Sequence, residues 1–157
     1  MAALDTLAVF DALACRPNSG AGPSLDVRNS HVVLAFSDAA DQATDFAGYF
    51  QASYTGRDLE VAIVWAPESA AAGAVRWRAA LERHSIADEA HGTLNLDSDD
   101  FGAPVEVTSP AGASGDLVRA EMTLPASGAF SPQAGEPFRL RLARVASDTA
   151  DTMTGAA

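Results

Sequence analysis

Lysine is missing altogether from this chain of 157 residues, and all ten of its cations are arginines. Against 21 acidic residues this leaves a formal net charge of −11. That balance argues against a nucleic-acid surface, because phosphate binding needs clustered Lys and Arg. The acidity favours solubility and discourages anionic partners. Cysteine is nearly absent too. Cys15 stands alone, so no internal disulfide can form, and no local motif marks it as a catalytic thiol. Long apolar runs are lacking: no stretch reaches the roughly eighteen residues of a membrane helix. The N-terminus carries Asp5 in place of a basic region, so a signal peptide is not expected and synthesis in a cytoplasm is. A sustained helical period and internal repeats are also missing.

Alternation with a period of two is what the chain does contain. Leu59, Val61, Ile63 and Trp65 share one face of a run, as do Val75, Trp77, Ala79 and Leu81 of the next. Such runs predict half-buried strands, since successive side chains leave opposite faces of a sheet. The connector Ala66–Ala74, with Pro67 and Gly73, is too short for a parallel crossover. Either an antiparallel pair or a strand crossing between two packed sheets is expected. Trp65 and Trp77 are expected core anchors rather than a sugar-stacking platform.

Further strands are predicted at His31–Phe36 and near Ala103–Thr108, Asp116–Leu124 and Pro137–Val145, with Phe46–Phe50 returning aromatics to the core. Asp38–Asp45 reads as a polar loop, Ile86–Phe101 as an acidic surface crossing, and Ser147–Ala157 as a small polar tail. Residues 1–24 read as an apolar arm, including Leu4, Leu7, Val9 and Phe10, followed by a linker punctuated by Pro17, Gly20, Gly22 and Pro23. Residues 3–14 fit a short helix or an extended arm, and the arm either folds back as an edge strand or docks on a neighbouring subunit. Residues 25–157 then form one all-β domain, an antiparallel sandwich of jelly-roll type.

Motifs for chemistry are sparse. Asn95, Asp97, Asp99 and Glu106 have the spacing of positions 1, 3, 5 and 12 of a calcium loop, but Asp100 occupies the place that needs glycine. A solvated acidic loop is the simpler reading. His31, His84 and His91 lack zinc spacing. Neither a nucleophile elbow nor a phosphate-cradling loop is present, and Gly112–Gly115 reads as a plain turn. No cofactor is expected. The arginines at 76, 78, 83, 139, 141 and 144 form stripes that predict pairing with carboxylates, within the chain or across a subunit contact.

Several segments taken in order carry a resemblance. They are Leu25–His31, Tyr54–Gly56 before Leu59–Trp65, Ser69–Trp77 before Glu82 and Arg83, Gly135–Leu140, and Asp148–Gly155. Their order and spacing, over nearly the whole chain, resemble a group of small tailed-bacteriophage virion proteins with one jelly-roll-like β domain. The resemblance implies a non-enzymatic role on the virion surface, as a capsid decoration (cement) protein, head fibre or tail-associated adhesin. It implies a homotrimer, a major capsid protein or other virion protein as partner, and no nucleic acid or membrane. It also implies an apolar strand after Asp148–Gly155, whose place is either left open or taken by a segment such as Leu4–Leu13. Leu7, Val9, Phe10, Arg76 and Arg78 are the expected interface residues. The alternative in a different functional class is a receptor- or carbohydrate-binding module on the same fold; an acid-rich hydrolase has no visible site.

Overall fold

The computed structural model describes residues 6–69, 72–84, 97–126 and 132–157. Its strands are β1 (Ser24–Arg28), β2 (His31–Ala35), β3 (Gln42–Tyr49), β4 (Leu59–Trp65), β5 (Ala74–Arg83), β6 (Val105–Pro110), β7 (Val118–Leu124) and β8 (Pro137–Arg144). A single 3-10 turn, Ala12–Ala14, precedes them. All pairings among the described residues are antiparallel. One sheet runs β3-β8-β5-β6, β4 pairs with β7, and β1 with β2 makes a hairpin. The fold is all-β and sandwich-like.

Alternation explains the layers. Val75, Trp77 and Ala79 of β5 are buried against Ile63 and Trp65 of β4 and Ala120 and Met122 of β7. Trp77 meets Trp65 edge-on with ring centres 6.0 Å apart, and Phe36 at 5.3 Å. Both tryptophans are core anchors, as their positions in the alternating runs predict. The two strands are not partners, however. β4 pairs with β7 from Leu59↔Leu124 to Trp65↔Val118, whereas β5 pairs with β6 and β8. Of the two expectations for the 59–84 stretch, the strand crossing between sheets is the one realised.

A second apolar cluster, Phe50, Leu81, Leu124 and Phe138, receives Leu7 and Phe10. Phe10 stacks on Phe46 at 5.2 Å. Arg16 and Asp45 exchange backbone hydrogen bonds of 2.8 and 3.2 Å, and Ala43 N–H donates to Ala21 O. The described part of the arm therefore lies along the outer edge of β3. Leu4 lies outside the described residues.

Three segments differ from expectation. The loop expected at 38–45 becomes strand from Gln42, because Thr44 and Asp45 are buried and polar composition conceals it. Leu25 and its neighbours form a hairpin through Asn29 and Ser30, whose φ values of 47° and 69° are those of a two-residue type I′ turn. The expected polar tail is packed. Met153 is buried, and Ala157 and Phe36 exchange backbone bonds of 3.0 and 3.1 Å.

The tail also explains Gly73. Its φ is +134°, and a Cβ there would sit 2.8 Å from Met153 N and from Thr152 C and O. Gly73→Ala is expected to cost about 2–4 kcal/mol, of which backbone strain supplies about 1–3 and collision with the tail the rest. Chemical denaturation will measure it, with the tail amides losing exchange protection first.

Candidate functional site

The face of the β3-β8-β5-β6 sheet that points away from the core holds most of the charge chemistry. Cross-strand register sets Asp45 opposite Arg141, Glu82 opposite Arg139, and Arg78 opposite Glu106. Acid and base thus alternate across neighbouring strands, the arrangement that stabilises opposite pairs. Arg141 grips Asp45 with two bonds of 2.7 and 2.9 Å. Arg139 reaches Glu82 at 2.7 Å. Asp99 spans both guanidinium groups, 2.5 Å from Arg139 and 3.1 Å from Arg141. Phe101 lies beneath them, its ring centre 4.8 and 4.1 Å from the two guanidinium carbons, a cation–π arrangement.

Glu82 is fully buried here, accepting Asp100 N–H at 2.7 Å and lying 3.1 Å from His84 Nε2. A carboxylate taken out of water needs this set of partners. The alternation correctly set Glu82 opposite the apolar face, yet the 99–101 segment removes it from solvent. Nothing local in sequence signals that cover.

A second group sits on the same face. Arg76 and Arg78 share Glu106, at 2.7 and 2.5 Å. On the opposite, core-side face, Arg83 at the end of β5 stands across from Phe138 and pairs with Glu136 through bonds of 2.9 and 2.6 Å. The arginine stripes thus find carboxylates of their own chain. Arg78 keeps the more exposed side chain of the Arg76–Arg78 pair.

The expected interface and calcium residues separate accordingly. Leu7 and Phe10 pack on this chain's own second cluster, whereas Val9 is exposed. Asn95 and His91 lie outside the described residues. Asp99 and Glu106 turn to two different arginine pairs and do not converge. Among the described residues no three acidic, histidine or cysteine side chains gather as metal ligands.

A pocket of about 230 Å³ opens between the two charge groups, with Ala43, Ala80 and Ala143 among its lining, Arg78 and Arg141 at its sides, and Gly20, Ala21 and Asp41 bordering it. The small side chains make room there: Ala43 and Ala143 are register partners and Ala80 faces Arg141, a meeting that only strand pairing produces. Both arginines are already bonded to carboxylates, so the pocket carries no uncompensated positive charge of their making.

Asp99 titrates below the ordinary carboxylate range, chiefly because Arg139 donates to it; burial opposes this and Arg141 adds to it. Glu106 is lowered by Arg78 and then Arg76. The unfolded chain therefore takes up these protons at higher pH than the folded one. The stabilisation is present above about pH 4–4.5 and is lost as pH falls through the lowered values. Asp99→Asn with Glu106→Gln is expected to flatten the acid limb of stability, read as denaturation midpoints between about pH 5 and 3.

Comparison of the chain with protein-family models, with curated proteins and with solved structures finds no match.

Proposed function

We propose that this protein is a non-enzymatic structural component of a tailed-phage virion, a β-sandwich that decorates the capsid surface as a homotrimer. The observation that carries the reading is where apolar side chains face water. Among the described residues, five of the eight large exposed apolar side chains, Val9, Leu13, Leu25, Val27 and Val32, come from the N-terminal segment and the β1–β2 hairpin, while Tyr49, Val64 and Leu117 lie elsewhere. The 3-10 turn bearing Leu13 lies beside β2. Apolar exposure concentrated in one part of a chain marks a surface that another protein covers. The major capsid protein, or another virion protein, is the partner this reading assigns.

Two further points support it. The order of sequence segments resembles small virion proteins of this kind. The arginines of the large sheet are paired within the chain, which favours a scaffold held rigid over one built to capture a charged ligand. Function on this reading is interface area repeated at many symmetric sites, so that modest single contacts add up through avidity.

Mass spectrometry and cryo-EM of purified particles test the reading. The chain is expected in the virion at fixed stoichiometry, with residues 9–32 at the contact. Its absence from particles, or a stable monomer with no affinity for capsids, would overturn the proposal.

A further inference from the structure

Among the described residues, most of the longer sheet edges of this fold carry a guard; β7, the other edge of the β4 sheet, carries Arg119 and Glu121. The outer edge of β3 is covered by Arg16 and Ala21 through backbone hydrogen bonds. β1 carries two charges, Asp26 and Arg28, in five residues. Past the end of β2, Phe36 is tied to Ala157. β6 holds Glu106 and ends on Pro110. These are the usual protections: charge, proline, or cover by another segment. Lysine, the commonest guard of an edge, is absent from the chain.

β4 has none of them beyond one acid. It is seven residues long, Leu59-Glu60-Val61-Ala62-Ile63-Val64-Trp65, in unbroken register with β7 and without a bulge. Among the described residues its backbone pairs with β7 alone, leaving the other edge with free donors and acceptors. Glu60, Ala62 and Val64 are exposed, Val64 at 62%.

We propose that the free edge of β4 pairs antiparallel with β4 of a second copy of this chain, about a two-fold axis through Ala62. The strand is self-complementary in that register. Ala62 meets Ala62, Val61 meets Ile63, Leu59 meets Trp65, and Glu60 meets Val64. Core-facing aliphatic residues thus continue one apolar layer across the axis, as an isologous contact requires. The only charge on the strand never faces its own copy. Arg119 lies opposite Val64 on β7 and is paired with Glu60 and Glu121 of its own chain. The incoming Glu60 therefore approaches Val64 from the side away from a cation, and like charges are kept apart. Any one-residue slip would turn apolar residues to solvent and bring Glu60 over the core. The inference stands on β4 alone and holds wherever the protein works; a two-fold contact of this kind can link neighbouring trimers.

Cross-linking in solution tests it. In a Cys15→Ser background, Ala62→Cys places two thiols on the axis, with Cα atoms about 4.5–5.5 Å apart, within disulfide reach. Glu60→Cys and Val64→Cys would each stand roughly 14 Å from their own copies, beyond it. With oxidised glutathione, Ala62→Cys is expected to form covalent dimers about tenfold faster than either flanking variant or more. Amide exchange on the unmutated protein gives a second reading. β4 protection is expected to rise with protein concentration, and Val64→Lys is expected to abolish the rise. Equal cross-linking rates at all three positions would overturn the proposal. So would β4 exchange that is independent of concentration, or protection that appears only when a different virion protein is added.

Discussion

Arg144→Met is expected to cost about 3–5 kcal/mol of folding stability, among the largest effects of any single change in this chain. Arg144 is wholly buried, on the core face of β8 opposite Trp77. It holds Asp151 with bonds of 3.0 and 2.8 Å. It also donates to Phe36 O at 3.1 Å, Gly155 O at 2.8 Å and Met153 O at 2.7 Å. One guanidinium thereby ties the C-terminal segment and the end of β2 to the large sheet. Methionine fills much of the volume but leaves the Asp151 carboxylate buried, with the Arg76 N–H as its remaining partner. Breaking one side of a buried pair costs far more than the pair contributes, because the orphaned charge cannot return to water. Adding Asp151→Asn to Arg144→Met is therefore expected to recover about 1 kcal/mol or more. Urea denaturation of the single and double variants gives both numbers. Equal stability of the two would show that Asp151 finds another partner or water.

Trp77→Ala comes next, at about 3–5 kcal/mol, the usual range for emptying an aromatic site in a core. Trp77 stands between Phe36 and Trp65, so its loss removes two aromatic contacts and leaves a cavity between the sheets. The two tryptophans differ in one respect that makes the expectation sharper. Trp65 Nε1 donates to Ser109 Oγ at 3.0 Å, while Trp77 Nε1 is buried without a hydrogen-bond partner among the described residues. Trp77→Phe removes an unsatisfied donor and loses only volume. Trp65→Phe leaves the buried Ser109 hydroxyl without its donor, adding a penalty of about 1–3 kcal/mol to the volume term. Thermal unfolding followed by tryptophan fluorescence is expected to rank Trp77→Phe as the milder of the two.

Both effects bear on which parts of the fold could be foreseen. Trp77 lies in a run whose alternation announced both a strand and its buried face. Arg144 sits at the end of a run whose apolar members, Phe138, Leu140 and Leu142, were equally plain, yet its position on that same face gave no sign of burial. An arginine within an alternating run is read as outward by default. Its true place depends on whether carbonyls and a carboxylate arrive from elsewhere to satisfy it. Here they arrive from residues 36 and 151–155, and the first of these is more than a hundred positions away. Glu82 and Asp45 were hidden in the same way, their partners being Arg139 and Arg141 on β8. From sequence the Asp38–Asp45 segment reads as a loop, because the composition of Thr44 and Asp45 is that of exposed residues. The tail reads as a small polar end because Met153 is its only large apolar residue.

The amino-acid order alone determined the elements with period-two patterns, β4, β5, β6, β7 and β8, together with the apolar face of each, and also the place of β2 and the all-β class. These follow from local physics, since alternation along one strand needs no knowledge of its partner. Tertiary structure decided which strands pair, that β4 and β5 belong to different sheets, and which acids and arginines leave water together. Those outcomes depend on groups distant in sequence meeting in space. A buried charge is tolerable only once its counterpart and hydrogen-bond partners are in place, and no single stretch of this chain contains that information.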